Sequence, residues 1–163
     1  MKLFICLSLI FSMLSVKSQD LDTMRLNYTK AVSDKQTCKE MISELEKSDV
    51  SGVQLAYLGA FQTIWANHVS NPIDKLATFR KGKKNIEKAV SQNTNEIEIR
   101  FVRLSIQNNV PAILGYKSDI DTDKNFVLEH FGTVRNKHLQ KLIRNFFEDS
   151  DLLTQKEEQI FKN

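Results

Sequence analysis

Asn95-Glu96-Ile97-Glu98-Ile99-Arg100-Phe101-Val102-Arg103-Leu104-Ser105-Ile106-Gln107 is the stretch that decides between helix and sheet. Ile97, Ile99 and Phe101 alternate as a half-buried strand would, whereas Ile97, Phe101 and Leu104 recur at helical spacing. The helical period accounts for more positions. Val102 and Ile106 continue the four-residue step, alternation fails at Arg103, and Asn95 with Glu98 three residues on matches a capping box. The stretch is therefore a helix, ended by Pro111 and followed by a short apolar connection, Ile113-Leu114-Gly115-Tyr116.

Working outward, the chain carries five Gly and two Pro in 163 residues, and these fall mostly between periodic segments, as helix punctuation does. Towards the N-terminus, Asn71-Pro72 fits a helix start with Pro in the first turn, and Leu76, Phe79, Ile86, Ala89 and Val90 carry that helix to about Gln92. Gly82 inside it is either a weak point or a point of close packing. Ser51-Gly52 opens the most apolar helix, Val53 to Val69, whose Leu55, Leu58, Phe61, Ile64, Trp65 and His68 are joined by Ala56, Tyr57 and Ala60, a width that places it centrally. A first helix is expected from about Tyr28 to Lys47, with residues 19–27 as a loose start. Towards the C-terminus, Asp119 to His130 reads as one helix stopped by Gly132, and Thr133 opens another with Leu139, Leu142, Ile143, Phe146 and Phe147 as its stripe. Thr154 with Glu157 caps a short last one that docks through Ile160 and Phe161. The expected fold is all-α: six to seven helices in antiparallel pairs, forming one compact or short solenoid-like domain over residues 19–163.

Residues 1–18 form a basic start at Lys2, an apolar stretch from Leu3 to Leu14 and a polar end, Ser15-Val16-Lys17-Ser18, which is the pattern of a secretory signal peptide. The apolar run is too short to span a bilayer, which needs about 20 residues, so no stable membrane anchor is expected after cleavage. Val16 and Ser18 place the cut before Gln19, which leaves 145 of 163 residues, and an exported, periplasmic or secreted product follows. Lys2 and Lys17 leave with the leader, so 23 basic residues become 21 against 20 acidic and the net charge falls from +3 to about +1. That near-neutral balance argues against nucleic acid and other polyanions as partners. Cys6 leaves too. Cys38 then stands alone in an oxidising compartment, read as a half-buried helix residue without a disulfide partner.

Chemistry-bearing patterns are sparse. Asp119-x-Asp121-x-Asp123 starts like a calcium loop, but Lys124 and His130 occupy the positions where that loop needs Gly and Glu, so the acids fit a helix N-terminus better. His68, His130 and His138 lack a second ligand at helical spacing, and His68 reads as a satisfied, partly buried side chain. There is no G-x-S-x-G, no H-E-x-x-H and no glycine-rich phosphate loop, so no catalytic residue, metal or cofactor is expected. Arg100 and Arg103 lie three apart in an apolar helix, so their guanidiniums either snorkel to water or pair with carboxylates, as a buried structural ion pair or as an anchor for an acidic partner molecule. Asn27-Tyr28-Thr29 matches a glycosylation acceptor, which matters only in a eukaryotic source.

Leu58-Gly59 followed by Trp65, then Ile86-Glu87-Lys88-Ala89-Val90 before Asn95, resembles one tetratricopeptide-type unit, with no second unit at a 34-residue period. Tyr57, Gly59 and Ala60, Asn71-Pro72 with Lys75, Phe79 and Gly82, the run from Glu98 to Leu104, Pro111, Leu114-Gly115-Tyr116 and Asp123-Lys124 together resemble a group of short, exported, uncharacterised Gram-negative bacterial proteins. That resemblance spans about half of the chain beyond the leader. It implies an envelope or secreted location and brings no catalytic residues with it.

The function expected from these features is a non-enzymatic helical interaction or scaffold module of the cell envelope. It would hold a protein or peptide through Tyr57, Trp65, Arg100, Arg103 and Tyr116. The alternative is a small-ligand-binding protein or enzyme with a pocket near Tyr57, Trp65, His68 and Tyr116.

Overall fold

The computed structural model describes residues 20–161, and the leader read in residues 1–18 lies outside them. Seven α-helices follow in order: α1 (Leu21–Ser33), α2 (Lys35–Leu45), α3 (Gly52–His68), α4 (Pro72–Gln92), α5 (Ile97–Asn109), α6 (Ile120–His130) and α7 (Lys137–Glu148). Three short 3-10 turns, Ala112–Leu114, Phe131–Thr133 and Glu157–Phe161, complete the chain, and there is no strand among the described residues. The stretch that alternates from Ile97 to Phe101 is helical throughout, and the Glu96 carboxylate, in place of Asn95, accepts from the Glu98 amide at its start.

The expected first helix proves to be two. Asp34 has extended backbone, and its carboxylate accepts from the amides of Gln36 and Thr37, so it caps α2 at the position where α1 ends. Residues 21–27, within the stretch read as a loose start, belong to α1, and the Asp20 carboxylate caps its first turn. At the other end, α7 begins at Lys137 under an Asn136 cap instead of at Thr133. The Thr154 and Glu157 pair does form its reciprocal bonds, but the turn they close is a 3-10 one.

α3 is the central element. Leu55 to Ile64 are all buried, and α1, α2, α4 and α5 pack around it. Its closest neighbour is α4, and a Cβ built on Gly59 would lie 2.6 Å from the Gly82 carbonyl oxygen, so the two helices touch backbone to backbone there. Gly82 is thus a packing point. A ring of contacts closes the body: α7 packs against α1 and α5, and the Asn136 amide donates to Asp22 of α1 at 3.0 Å. This closure makes the fold a compact bundle instead of an open stack. Cys38 is wholly buried, and its thiol donates to the Phe61 carbonyl at 3.3 Å. Burial pushes that thiol up to about 12.

Candidate functional site

Two sets of buried charges tie the helices together. Arg25 of α1 donates through Nε and Nη2 to the two oxygens of Glu98 on α5, at 2.7 and 2.5 Å, and the Tyr57 hydroxyl of α3 donates to the same carboxylate at 2.9 Å. Burial, and then the Glu98 charge, push the Tyr57 phenol well above its ordinary value, so it serves as a fixed donor. In the second set Arg103 of α5 grips Asp123 of α6 at 2.6 and 2.9 Å, Arg100 adds a third bond to Asp123 at 2.8 Å, and Arg103 reaches Glu87 of α4 at 3.0 Å. Tyr116 donates to Glu87 at 2.6 Å. These bonds answer how two arginines sit in an apolar helix: their carboxylates come from α4 and α6.

Asp119 and Asp123 consequently face Arg103, Asp119 at 3.6 Å, and no group of three or more His, Cys, Asp or Glu side chains among the described residues is placed to hold a metal ion. Every buried carboxylate in these sets is matched by a guanidinium or a phenol. Such matched networks fix helix register and offer no free base or nucleophile.

The open feature of the molecule lies elsewhere. A groove of about 860 Å³ runs between the C-terminal halves of α1, α3 and α5, the first turns of α4, the 3-10 turn at Ala112–Leu114, and α7. Ile64, Phe79, Phe101, Ile106, Leu142 and Phe146 are among its apolar walls, with Tyr28 and Ser105, bonded to each other at 2.5 Å, beside them. Around the mouth stand Val32, Leu76 and Ile113, exposed by 57%, 36% and 92%. Ordinary surfaces scatter single aliphatics, but three around one concavity form a patch. Between them Asn67, Asn108 and Asn145 carry side-chain amides with no hydrogen-bond partner among the described residues. An amide donates and accepts without charge, which is the complement of a peptide unit.

The residues expected to bind a partner are not gathered there. Tyr57 and Tyr116 are buried hydrogen-bond donors in the two charge sets, Arg103 is buried, and Arg100 shows only 16% of its side chain. Trp65 lies half-buried on the far side of α3's terminal turns, with the Lys35 ammonium 5.4 Å over its ring and His68 beside it. The His68 ring is bonded to the Ala31 carbonyl at 2.9 Å, a satisfied side chain. None of the five, nor His68, lines the groove. One sequence signal pointed to it: an aliphatic run, Ile113-Leu114, in a connection too short to form a core-facing helix. Comparison with known proteins finds no matching family model, no matching curated protein and no matching solved structure.

Proposed function

We propose that this chain is an exported, non-enzymatic binding protein whose groove takes a peptide segment of a partner protein. The observation that carries the reading is the pairing of an apolar concavity, lipped by Val32, Leu76 and Ile113, with the three uncommitted amides of Asn67, Asn108 and Asn145. Apolar side chains of the guest would fill the walls, and the amides would meet its backbone, the division of labour common in peptide recognition. The matched charge sets support the reading from the other side, because they tie helices together away from the groove and leave no reactive group within them. Export is supported by the leader read in residues 1–18, and an envelope location by the resemblance to short exported bacterial proteins.

The test is selection of peptides from a displayed random library, followed by calorimetric titration of those recovered. Leu76→Glu with Ile113→Glu changes only exposed positions, so the fold tolerates it, yet it removes two apolar contacts and buries charge. Peptide affinity is expected to fall by about a hundredfold or more. Peptides that bind the double variant as tightly as the original protein would refute the assignment. So would a native mass spectrum in which the protein from its source carries a stoichiometric lipid that peptides do not displace.

A further inference from the structure

Whole-chain charge is close to neutral, but the fold does not spread it evenly. α4 carries Lys75, Arg80, Lys81, Lys83, Lys84 and Lys88 against two acids, Asp74 and Glu87, and Glu87 is turned inward to Arg103 and Tyr116. Of the six cations, Lys81 pairs with Glu46 at 2.7 Å and Lys83 lies over the Tyr116 ring at 4.6 Å. Arg80, Lys84 and Lys88 are exposed and have no carboxylate partner among the described residues. Their spacing of four puts them on one outward ridge, opposite the buried Phe79, Gly82, Ile86 and Ala89. Two turns back from Arg80, by a three- and then a four-residue step through Ala77, the same face carries Ile73, which is 79% exposed. Leu76 lies one four-residue step before Arg80, and across the groove mouth Ile113 is the most exposed large apolar side chain described.

A basic ridge about 12 Å long with bare aliphatics beyond its N-terminal end is the pattern of a helix lying at a membrane surface. We infer that α4 docks this protein, reversibly, on an anionic phospholipid surface. Arg80, Lys84 and Lys88 lie among the headgroup phosphates, and Ile73 and Ile113 reach the acyl boundary. No described helix is long and apolar enough to cross a membrane, so the contact is peripheral. Charge complementarity alone would also suit a nucleic acid, but the ridge has no exposed aromatic on which a base could stack. The bare isoleucines are what an aqueous polyanion would leave wet and a bilayer would cover. Asp74, exposed beside Ile73, is the one acid at this end. The inference rests on α4's outer face, with Ile113, which also lips the groove, as the one residue shared with the peptide-binding reading.

The experiment is vesicle co-sedimentation of protein comprising residues 19–163, so that the apolar leader contributes nothing. Phosphatidylcholine vesicles are compared with vesicles containing about a third phosphatidylglycerol, at low and physiological salt. Binding to the anionic vesicles alone, weakened by salt, is expected. The triple variant Arg80→Gln, Lys84→Gln, Lys88→Gln, with an unchanged helical circular dichroism spectrum, is expected to bind on the order of a hundredfold more weakly. Ile73→Ser with Ile113→Ser is expected to weaken binding severalfold at every salt concentration. Equal binding to both vesicle types, no binding to the anionic ones at low salt, or full binding by the triple variant each overturns the inference. Tight binding to duplex DNA, with the isoleucine variant behaving as the original protein on vesicles, overturns it in favour of plain polyanion attraction.

Discussion

Replacing Gly59 or Gly82 with alanine tests whether the contact between α3 and α4 organises the fold. On an exposed helix the change would stabilise by about 1 kcal/mol, since alanine loses less backbone entropy than glycine. At this crossing sterics oppose it. A Cβ on Gly59 meets the Gly82 oxygen at 2.6 Å and the Ile86 nitrogen at 2.8 Å, and one on Gly82 meets the Gly59 oxygen at 2.4 Å and the Thr63 nitrogen at 2.7 Å. Ordinary contact begins at 3.4 Å, so the helices must part by about 0.6 to 1.0 Å, and the obstructing atoms are backbone that cannot rotate away. Overpacking of this kind costs roughly 1–3 kcal/mol, often more when the backbone has to move, and α3 is packed on all sides. A net destabilisation of about 2–3 kcal/mol follows for either variant, or roughly 6–9 °C in Tm for a chain of this size. Because both methyl groups force the same separation, the double variant should cost clearly less than the sum of the singles. Gly132→Ala is the control, because nothing lies within 4 Å of its Cβ and its φ is not positive. Urea unfolding followed by circular dichroism reads all four. Gly59→Ala or Gly82→Ala with a midpoint equal to or above that of the original protein would refute the reasoning.

Other consequences can be checked as directly. Asp123→Asn leaves Arg103 buried without its bidentate partner and should destabilise by about 3–5 kcal/mol in the same unfolding assay, whereas Arg103→Met combined with Asp123→Leu should recover most of the loss. All three tyrosines of the sequence are buried and hold their protons above the ordinary value, Tyr28 up to about 12, through burial first and, for Tyr57 and Tyr116, the adjacent Glu98 and Glu87 second. Since these pKa values are raised, their contribution to stability is complete below about pH 10 and shrinks as pH rises above it. Near-ultraviolet titration should therefore show no phenolate until the chain unfolds, and a tyrosine ionising normally in folded protein would contradict the packing. Cys38, with its thiol pushed up to about 12 and no exposed surface, should react with thiol reagents only as fast as the protein opens, so its labelling rate should rise with urea in step with unfolding.

How much of this was legible beforehand depends on whether the determining contact was local. The helical period of residues 95–107 survived because Ile99, Phe101, Val102, Leu104 and Ile106 are all buried on one helix, and no partner had to be known. The break at Asp34 was hidden for the opposite reason. Ala31 and Cys38 keep helical register across it, no Gly or Pro marks it, and only the carboxylate's bonds to Gln36 and Thr37 reveal a cap. Tyr57 and Tyr116 read in the sequence as contacts for a partner or ligand, yet their hydroxyls are committed inside the fold. What uses those hydroxyls is Glu98, 41 residues away in sequence, and Glu87, 29 away, and the pattern of one helix cannot name an acceptor on another. Charge misleads in the same way: a count of 21 against 20 is silent about three unpaired cations in a row on one ridge.

The groove follows from the same glycine contact. α4 meets α3 by backbone at Gly82, in its middle, and Phe79, Ile86, Ala89 and Val90 are buried around that point, but Pro72 to Ala77 are all exposed. The helix is thus held from its third turn onward, and its first two turns project over Thr63, Ile64 and Asn67 of α3 without closing on them. Pro72 needs no neighbour to donate to, and the Asn71 cap satisfies the Ile73 amide, so those turns are stable without packing. A larger residue at the crossing would tilt or lift this whole segment and move Lys75, Leu76 and Phe79, which form one wall. Any Gly59 or Gly82 variant that still folds should therefore change guest affinity along with stability, while Asp123 variants, whose contacts lie outside the groove, should lower stability and leave the affinity of the folded fraction unchanged.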